Sequence, residues 1–342
     1  MSDNVQIINA LRTGASLEFQ TRIPVATKTN MENILETVMT YKQTKEEFTD
    51  LILNKIVKTV VMSKLYTNPY KFFKKGEMPF GKTIEAIFVD IIKAKSFNEN
   101  FGDSEASSLL GTEIPNLKLE YYSKNYEHKY KVTIKDVQLR TAFLNPNGLQ
   151  NLIDELITSA LTSAEYDEYL LIKSLLNTVK IKENVITGFG DLSENEQAKK
   201  LTKVLKTYIG YFGFLRKDYN TQEVHTHCKP KDIVILVTPE TSAMVDVELL
   251  ASSFNIGKAE IEGRLVLIDG FEKYETGDTG TMIADDDTLA IICDKDLVQF
   301  RESLNTSESF RNPDQLATNI FFHRHGSVSA CGFVNAVKIK KA

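Results

Sequence analysis

A long helix is the feature that most constrains how this chain can fold. Apolar residues recur at helical spacing from Leu149 to about Val179. Asn145 or Asn147 can cap the helix, and Pro146 suits its first turn. Roughly 30 residues that rise about 1.5 Å each make a rod on the order of 45 Å long. Because few helices of globular proteins are this long, we expect it to span the molecule as a spine.

Strand patterns dominate the region before this helix. Residues 83–92 are rich in β-forming side chains, and apolar residues alternate with charged or polar ones over 117–121 and 130–135. A period of two indicates strands with one solvent-exposed face. We therefore interpret 70–135 as a long β-excursion whose middle, 96–116, is polar and acidic. Helices and strands then follow without regular βαβ units, which is typical of an α+β fold.

Further elements are predicted after the long helix. A helix over 193–212 begins with a capping box of Ser193 and Glu196, and a buried strand follows over 233–237. Another helix is predicted from 238 to about 254. Short strands are expected over 264–269, 281–284, 289–293 and 297–301, and a final strand near 327–340. The dipeptide Asn312-Pro313 predicts the turn before that strand.

Two amphipathic helices are predicted within the first 65 residues. Their apolar stripes consist of Ile34, Leu35, Val38, Leu51, Ile52 and Ile56. An apolar stripe needs a surface to cover, either in the same chain or in a neighbouring one. We expect another subunit to cover part of it, and we name Leu51 and Ile52 as candidate inter-subunit residues.

Charge and cysteine content argue against several classes of protein. The formal charge is −5, whereas proteins that bind free nucleic acid usually present a basic face. This balance does not exclude a shell around DNA. The cysteines Cys228, Cys293 and Cys331 are odd in number, widely spaced and without a CxxC pair, which favours a reducing compartment. The N-terminus lacks the basic and apolar regions of a signal peptide.

The best metal-ligand candidate is the sequence His225-Thr-His227-Cys228. A zinc site needs three or four ligands, so we interpret this segment as a polar loop and expect neither a metal nor another cofactor. Gly188-Phe-Gly190 lacks the preceding strand and third glycine of a dinucleotide site. The acidic run 285–287 is interpreted as a solvated turn. Since no catalytic constellation stands out, we predict that the chain is not an enzyme.

An ordered set of short segments resembles one known family. The first lies in a basic loop and comprises Asn68-Pro69, Lys71, Phe73, Lys74, Lys75, Gly76, Pro79, Gly81 and Thr83-Ile84-Glu85. The others are Ile114-Pro115-Asn116, Thr141-Ala142-Phe143, Ala164-Glu165-Tyr166-Asp167-Glu168-Tyr169, Asp246-Val247, Leu250-Ala251, Phe254-Asn255, Ile268-Asp269-Gly270-Phe271, Arg311-Asn312-Pro313 and Phe333-Val334-Asn335-Ala336. Over nearly the whole chain, this set resembles the major capsid protein of phi29-like podophages.

The resemblance implies the Hong Kong 97-like capsid fold, which is an α+β architecture. It assigns 1–68 to the N-arm, 69–136 to the E-loop and 137–190 to the P domain with the long spine helix. It assigns 191–305 to the A domain together with P-domain strands, and 306–342 to a C-terminal return to the P domain. Phi29-like capsid proteins carry an immunoglobulin-like domain after the shell domain. Because the sequence stops at Ala342, no role through such a domain is implied.

The family also implies a function and partners. It implies a structural protein that self-assembles, as pentamers and hexamers, into the icosahedral or prolate head of a tailed phage. A scaffolding protein and a portal are implied partners, double-stranded DNA is enclosed without sequence-specific contacts, and no membrane is involved. The chain is expected in the virion after assembly in the host bacterial cytoplasm. An encapsulin-type nanocompartment shell is the alternative, and a soluble enzyme is an alternative of a different class.

Two segments of opposite charge are further candidate inter-subunit sites. The acidic segment carries Glu99, Asp103, Glu105 and Glu113, and the basic loop carries Lys71, Lys74, Lys75 and Lys82. In the fold that the chain resembles, the acidic segment lies near the tip of the E-loop and the basic loop near its base. We predict that the tip of one subunit meets the basic loop of a neighbour, since complementary patches set specificity and encounter rate. The alternative is that both segments are solvated faces.

Overall fold

A computed structural model describes residues 4–58, 66–79, 81–92, 114–145, 147–245, 265–274, 282–285 and 287–342. The predicted acidic residues Glu99, Asp103, Glu105 and Glu113 lie outside these ranges. The chain divides into two compact units. The first comprises Met1–Pro69, Tyr126–Leu170 and Glu302–Gly326, and the second comprises Tyr70–Asn125, Leu171–Arg301 and Ser327–Ala342.

Helices and strands are mixed along the chain, as an α+β fold requires. The helices are α1 (Asn4–Thr13), α2 (Leu17–Arg22), α3 (Met31–Thr40), α4 (Lys42–Lys58), α5 (Asp136–Leu144), α6 (Gly148–Thr178), α7 (Glu194–Phe212) and α8 (Pro239–Met244). The strands are β1 (Lys74–Glu77), β2 (Ile84–Val89), β3 (Leu117–Tyr122), β4 (Tyr126–Lys135), β5 (Lys182–Ile186), β6 (Ile233–Val237), β7 (Leu265–Leu267), β8 (Glu272–Tyr274), β9 (Met282–Ala284), β10 (Thr288–Asp294), β11 (Val298–Asn312), β12 (Ala317–Ala330) and β13 (Ala336–Lys341).

The predicted long helix is confirmed as α6. Its 31 residues correspond to a length of about 46 Å. Asn147 precedes it with a positive φ of 61°, and Gly148 is its first residue. A Cβ atom at Gly148 would overlap the backbone of Ala142, so the turn from α5 into α6 requires glycine there. Among the described residues, no helix is both long and apolar enough to cross a bilayer.

The first unit has a core built from its N-terminal helices. Ile34, Val38, Phe48 and Ile52 are buried in one cluster that also contains Phe143 of α5. The two amphipathic helices predicted within the first 65 residues correspond to α3 and α4, and all four helices α1–α4 contribute to this core. The chain itself therefore covers most of the apolar stripe. We had expected another subunit to cover part of it.

The second unit is organised around a five-stranded sheet of order β5-β13-β10-β6-β7. The central strand β10 pairs antiparallel with both β13 and β6. Parallel pairs of β13 with β5 and of β6 with β7 extend the sheet on either side. One apolar cluster contains Leu201 and Leu205 of α7 together with Ile235 and Ile292 of the sheet.

The largest correction to the predicted elements concerns β11 and β12. A short strand was expected over 297–301 and another near 327–340, whereas β11 has 15 residues and β12 has 14. The turn predicted at Asn312-Pro313 does separate these two strands. Their sheet has the order β1-β11-β12-β4, and β12 pairs antiparallel with β4 from Ala317 opposite Lys135 to Gly326 opposite Tyr126. Polar residues fill much of both strands, so apolar periodicity could not reveal their full length.

Candidate functional site: the outward face of the β2–β3 ribbon

The strands β2 and β3 form a two-stranded antiparallel ribbon within the second unit. Ile84 lies opposite Tyr122, and Val89 lies opposite Leu117. Because side chains alternate along a strand, each face of the ribbon carries every second residue. We call one the outward face, which carries Glu85, Ile87, Val89, Leu117, Leu119 and Tyr121. We call the other the inward face, which carries Ile84, Ala86, Phe88, Lys118, Glu120 and Tyr122.

Polar groups on the inward face tie the ribbon to loops of the same unit. The carboxylate of Glu120 accepts hydrogen bonds from the backbone N–H of Gly332, at 3.1 and 3.0 Å, and from Nε2 of Gln222, at 2.9 Å. The ammonium group of Lys118 donates to the carbonyl oxygen of Gln222. These hydrogen bonds join the inward face to Gln222 and Gly332, so they fix the orientation of the ribbon within its unit.

Aromatic side chains complete the inward face. The ring of Phe88 stacks on Phe333 with centroids 5.4 Å apart. The hydroxyl of Tyr122 donates to Glu120 at 2.9 Å. Burial, together with the neighbouring Cys331 and Glu120, raises the pKa of Tyr122 far above its ordinary value. Tyr122 is therefore a neutral hydrogen-bond donor at neutral pH.

One residue of the segment His225-Thr-His227-Cys228, considered above as a metal-ligand candidate, forms a hydrogen bond next to the ribbon. Nδ1 of His225 lies 2.9 Å from Oδ1 of Asp90, just after β2. Burial would raise the pKa of Asp90, but its hydrogen bonds with His225 and the N–H of Ile91 outweigh burial and lower the pKa. Burial raises the pKa of the Cys228 thiol far above normal, which disfavours a thiolate ligand. No group of three His, Cys, Asp or Glu side chains is positioned for a metal ion within the described ranges.

The outward face is apolar and open to solvent. Its aliphatic and tyrosine side chains are between 48% exposed, for Leu119, and 62% exposed, for Tyr121. The carboxylate of Glu85 accepts a hydrogen bond from the Tyr121 hydroxyl at 3.3 Å, and its charge raises the pKa of Tyr121. The adjacent residues Ile91, Ile92 and Ile114 are also exposed. Exposed apolar side chains that share one face of a ribbon make that face a candidate interaction surface.

The apolar side chains of β3 face solvent and its charged side chains face the protein, which is the reverse of the usual arrangement in a strand with one solvated face. An alternating strand normally turns its apolar side chains towards the core and its charged ones towards water. Here Lys118 and Glu120 face inward, and Leu117 and Leu119 face outward. The alternation was predictable from the sequence, but the partners of the charged residues, Gln222 and Gly332, lie about 100 and 200 positions away.

The predicted basic loop is partly engaged within its own unit. Lys75 forms an ion pair with Asp296 and also donates to the carbonyl oxygen of Lys295 at 3.2 Å. The Lys74 ammonium group lies 5.7 Å from the centre of the Phe300 ring. Lys71 and Lys82 are exposed. Because the four acidic residues lie outside the described ranges, a meeting of the two charged segments stays a prediction.

The apolar candidates Leu51 and Ile52 lie on α4 in the first unit. Ile52 is only 2% exposed and belongs to the core, and Leu51 is partly buried against it. Core packing is thus sufficient to explain both apolar side chains. An inter-subunit role for either residue stays a prediction.

Comparisons with known proteins agree with one another. A family model described as "Phi29-like phage major capsid protein" matches residues 8–340. The chain is 30% identical over 346 residues to the major capsid protein of Bacillus phage B103, which covers 98% of this chain and 73% of that relative. It is 26% identical over 350 residues to the major capsid protein of Streptococcus phage Cp-1, covering 97% and 93%. A solved chain from the capsid of Staphylococcus phage Andhra has a TM-score of 0.62 at 15% identity, covering 83% and 87%, and so shares the fold.

Proposed function

The chain belongs to the family of phi29-like phage major capsid proteins, and from this premise we propose that its β2–β3 ribbon joins one copy to the next in the head shell. It is a major capsid protein of a tailed phage with the Hong Kong 97-like fold, and it is a component of the virion. The encapsulin-type shell and the soluble enzyme are not favoured. The outward face of the ribbon is the single observation that carries the proposal.

The energetics favour a second copy as the cover for this face. Full burial of a large apolar side chain contributes roughly 1.5–3 kcal/mol, so covering the half-exposed side chains of the outward face contributes on the order of 5 kcal/mol. Association consumes a similar amount through lost translational and rotational freedom. One ribbon contact is therefore weak by itself. In a closed shell every subunit repeats the contact, and the contacts together stabilise the shell. Such reversible contacts allow misplaced subunits to leave during assembly.

The finer parts of this function are also proposals. The parts of the fold are assigned as above, with the ribbon in the E-loop at 69–136. Subunits form pentamers and hexamers in the host bacterial cytoplasm, with a scaffolding protein and a portal as partners, and the shell encloses double-stranded DNA. The chain carries out no catalytic step and needs no cofactor. Family membership supports each of these statements.

Removal of the apolar outward face tests the proposal. The variant Ile87→Asp with Leu119→Asp puts a charge on each strand at directly opposed positions. Since both side chains are exposed, we expect a folded subunit with an unchanged circular dichroism spectrum but no closed shells in electron micrographs. The measurement is made on protein expressed with its scaffold.

A matched control separates the ribbon from the effect of added charge. Leu17→Asp with Val137→Asp introduces the same charge at side chains that are 83% and 72% exposed in the first unit. We expect this control to form shells. Normal shells from the ribbon variant, or equal loss of shells in both variants, would show that the outward face is not the contact.

A further inference from the structure

The end of α7 and the loop after it carry exposed aromatic side chains. Phe214 is 63% exposed, Leu215 is 48% exposed and Tyr211 is 37% exposed. The guanidinium group of Arg216 lies 4.7 Å from the centre of the Tyr211 ring and 6.0 Å from the centre of the Phe214 ring. We call these four residues the aromatic platform. It belongs to the second unit, as the β2–β3 ribbon does.

Contacts within the unit hold the aromatic platform in place. The backbone N–H of Arg216 donates to the carbonyl oxygen of Thr226 at 3.0 Å, and the N–H of Thr226 donates to the carbonyl oxygen of Arg216 at 3.1 Å. The ring of Tyr211 stacks on that of the buried Tyr219, with centroids 5.9 Å apart and 12° between the ring planes. A partner therefore meets a preformed surface, and little conformational entropy is lost in ordering it.

The composition of the aromatic platform is that of an interface. Its contacts with the rings leave the charge of Arg216 in place, because a ring carries no net charge. Arg216 forms no ion pair within the described ranges, and the adjacent Lys217 and Asp218 offset each other. Tyrosine, phenylalanine and arginine are enriched at the centre of protein–protein interfaces. The exposed rings beside an arginine therefore favour a protein partner that brings apolar surface and a carboxylate.

We propose that the aromatic platform of one copy receives the outward face of the β2–β3 ribbon of the next copy. The outward face is apolar and carries a single charged residue, Glu85, whereas the aromatic platform carries a single charge of opposite sign, Arg216. Glu85 accepts a hydrogen bond from Tyr121 and forms no ion pair within the described ranges. Guanidinium and carboxylate groups form strong paired hydrogen bonds. The inference rests on the proposed function, since it names the surface that covers the ribbon.

The arrangement within one copy makes this contact a head-to-tail one. Glu85 and Arg216 form no ion pair with each other in the chain. The ribbon contacts the loop of the aromatic platform only near its other end, where Asp90 bonds to His225, the residue before Thr226. Glu85 lies five residues before Asp90 on an extended strand, about 17 Å away. Ribbon and platform are thus separate surfaces of each copy, and contacts between two different surfaces of identical copies can close into rings.

An exchange of charge between the two surfaces tests the inference. Arg216→Glu puts a carboxylate opposite Glu85 of the next copy, and Glu85→Arg puts a guanidinium group opposite Arg216. Like charges that face each other oppose association, so we expect each single variant to lower the yield of closed shells at least about tenfold in electron micrographs. The double variant has opposite charges again, with their positions exchanged, and we expect it to recover shells.

Arg140→Glu is the matched control for the reversal of charge. Arg140 is also exposed and without an ion pair within the described ranges, but it lies on α5 in the first unit. We expect this control to form shells as the unchanged protein does. Circular dichroism shows whether each variant is folded. If Arg216→Glu is misfolded, Arg216→Gln and Glu85→Gln replace the reversals, and their double variant should lose no more than either single variant.

A disulfide bond tests the same contact at other positions. Ile87→Cys with Leu215→Cys places one thiol on the outward face and one on the aromatic platform. In oxidised shells each copy can then bond to the next at both surfaces, so we expect a ladder of covalent multimers beyond the dimer on a non-reducing gel. Each single variant serves as a control and should give no such ladder.

Two outcomes would overturn the inference. One is a double charge variant that assembles no better than Arg216→Glu, and the other is a cysteine pair that yields no multimers beyond the dimer. Either would assign the aromatic platform to another partner. The proposed function fails separately, if Ile87→Asp with Leu119→Asp forms normal shells. Loss of shells in that variant, together with normal shells from Arg216→Glu, would retain the proposed function and reject this inference.

Discussion

The strand β10 and the β2–β3 ribbon are built from similar residues but face opposite environments. In β10, all residues from Thr288 to Cys293 are buried, because strands on both sides and α7 come from the same chain. In the ribbon, the aliphatic residues of one face remain half-exposed, and loops of the unit cover the other face. The comparison separates an apolar strand that is buried within the subunit from a ribbon whose apolar face is exposed, and for that face we propose a neighbouring copy as the cover.

The largest expected effect is a cavity in the buried sheet. Ile292→Ala removes part of a side chain that is fully buried beside Ile235 and Val337. We expect a loss of about 2–5 kcal/mol in the free energy of unfolding, measured by urea denaturation of the unassembled subunit. Ile87→Ala on the ribbon is the matched control and should cost far less, because its side chain is exposed. Equal losses would mean that the two strands do not differ as described.

An intermediate effect is expected on the inward face of the ribbon. Glu120→Ala leaves the N–H of Gly332 and the amide of Gln222 without their acceptor. An unsatisfied buried donor costs about 1–3 kcal/mol; because Gly332 and Gln222 are only half-buried and water can replace part of the acceptor, we expect a loss near the lower end, about 1 kcal/mol, in the same denaturation measurement. Glu120→Gln keeps one oxygen acceptor and should recover part of the loss. If Glu120→Ala is as stable as the unchanged protein, the inward contacts do not orient the ribbon.

The smallest effect on the subunit is expected on the outward face. Leu119→Thr retains a residue that favours strands and removes apolar surface that is already half-exposed. We expect the free energy of unfolding to change by no more than about 0.5 kcal/mol. The same variant should reduce the yield of closed shells, counted in electron micrographs. A large loss of subunit stability would place Leu119 in the core and contradict the comparison.

Several elements follow from local patterns in the sequence. The spacing of leucines from Leu149 onward predicts α6, and the pair Ser193 and Glu196 predicts the start of α7. Alternation over 117–121 predicts β3. The ordered segments around Asn68-Pro69 and after them identify the capsid family, which the comparisons confirm. These signals are local, so no knowledge of distant contacts is needed to read them.

Only the tertiary structure decides which face of each element is covered. Alternation shows that β3 has two faces, but Lys118 and Glu120 turn inward because Gln222 and Gly332 supply their partners. Likewise, the part of the stripe that contains Ile52 is covered by its own chain, through packing near Phe143. The lengths of β11 and β12 are set by hydrogen bonds between backbone groups, which form whether the side chains are polar or apolar. A sequence pattern shows which residues share one face of a helix or strand. Whether that face is buried depends on residues far away in the sequence that pack against it.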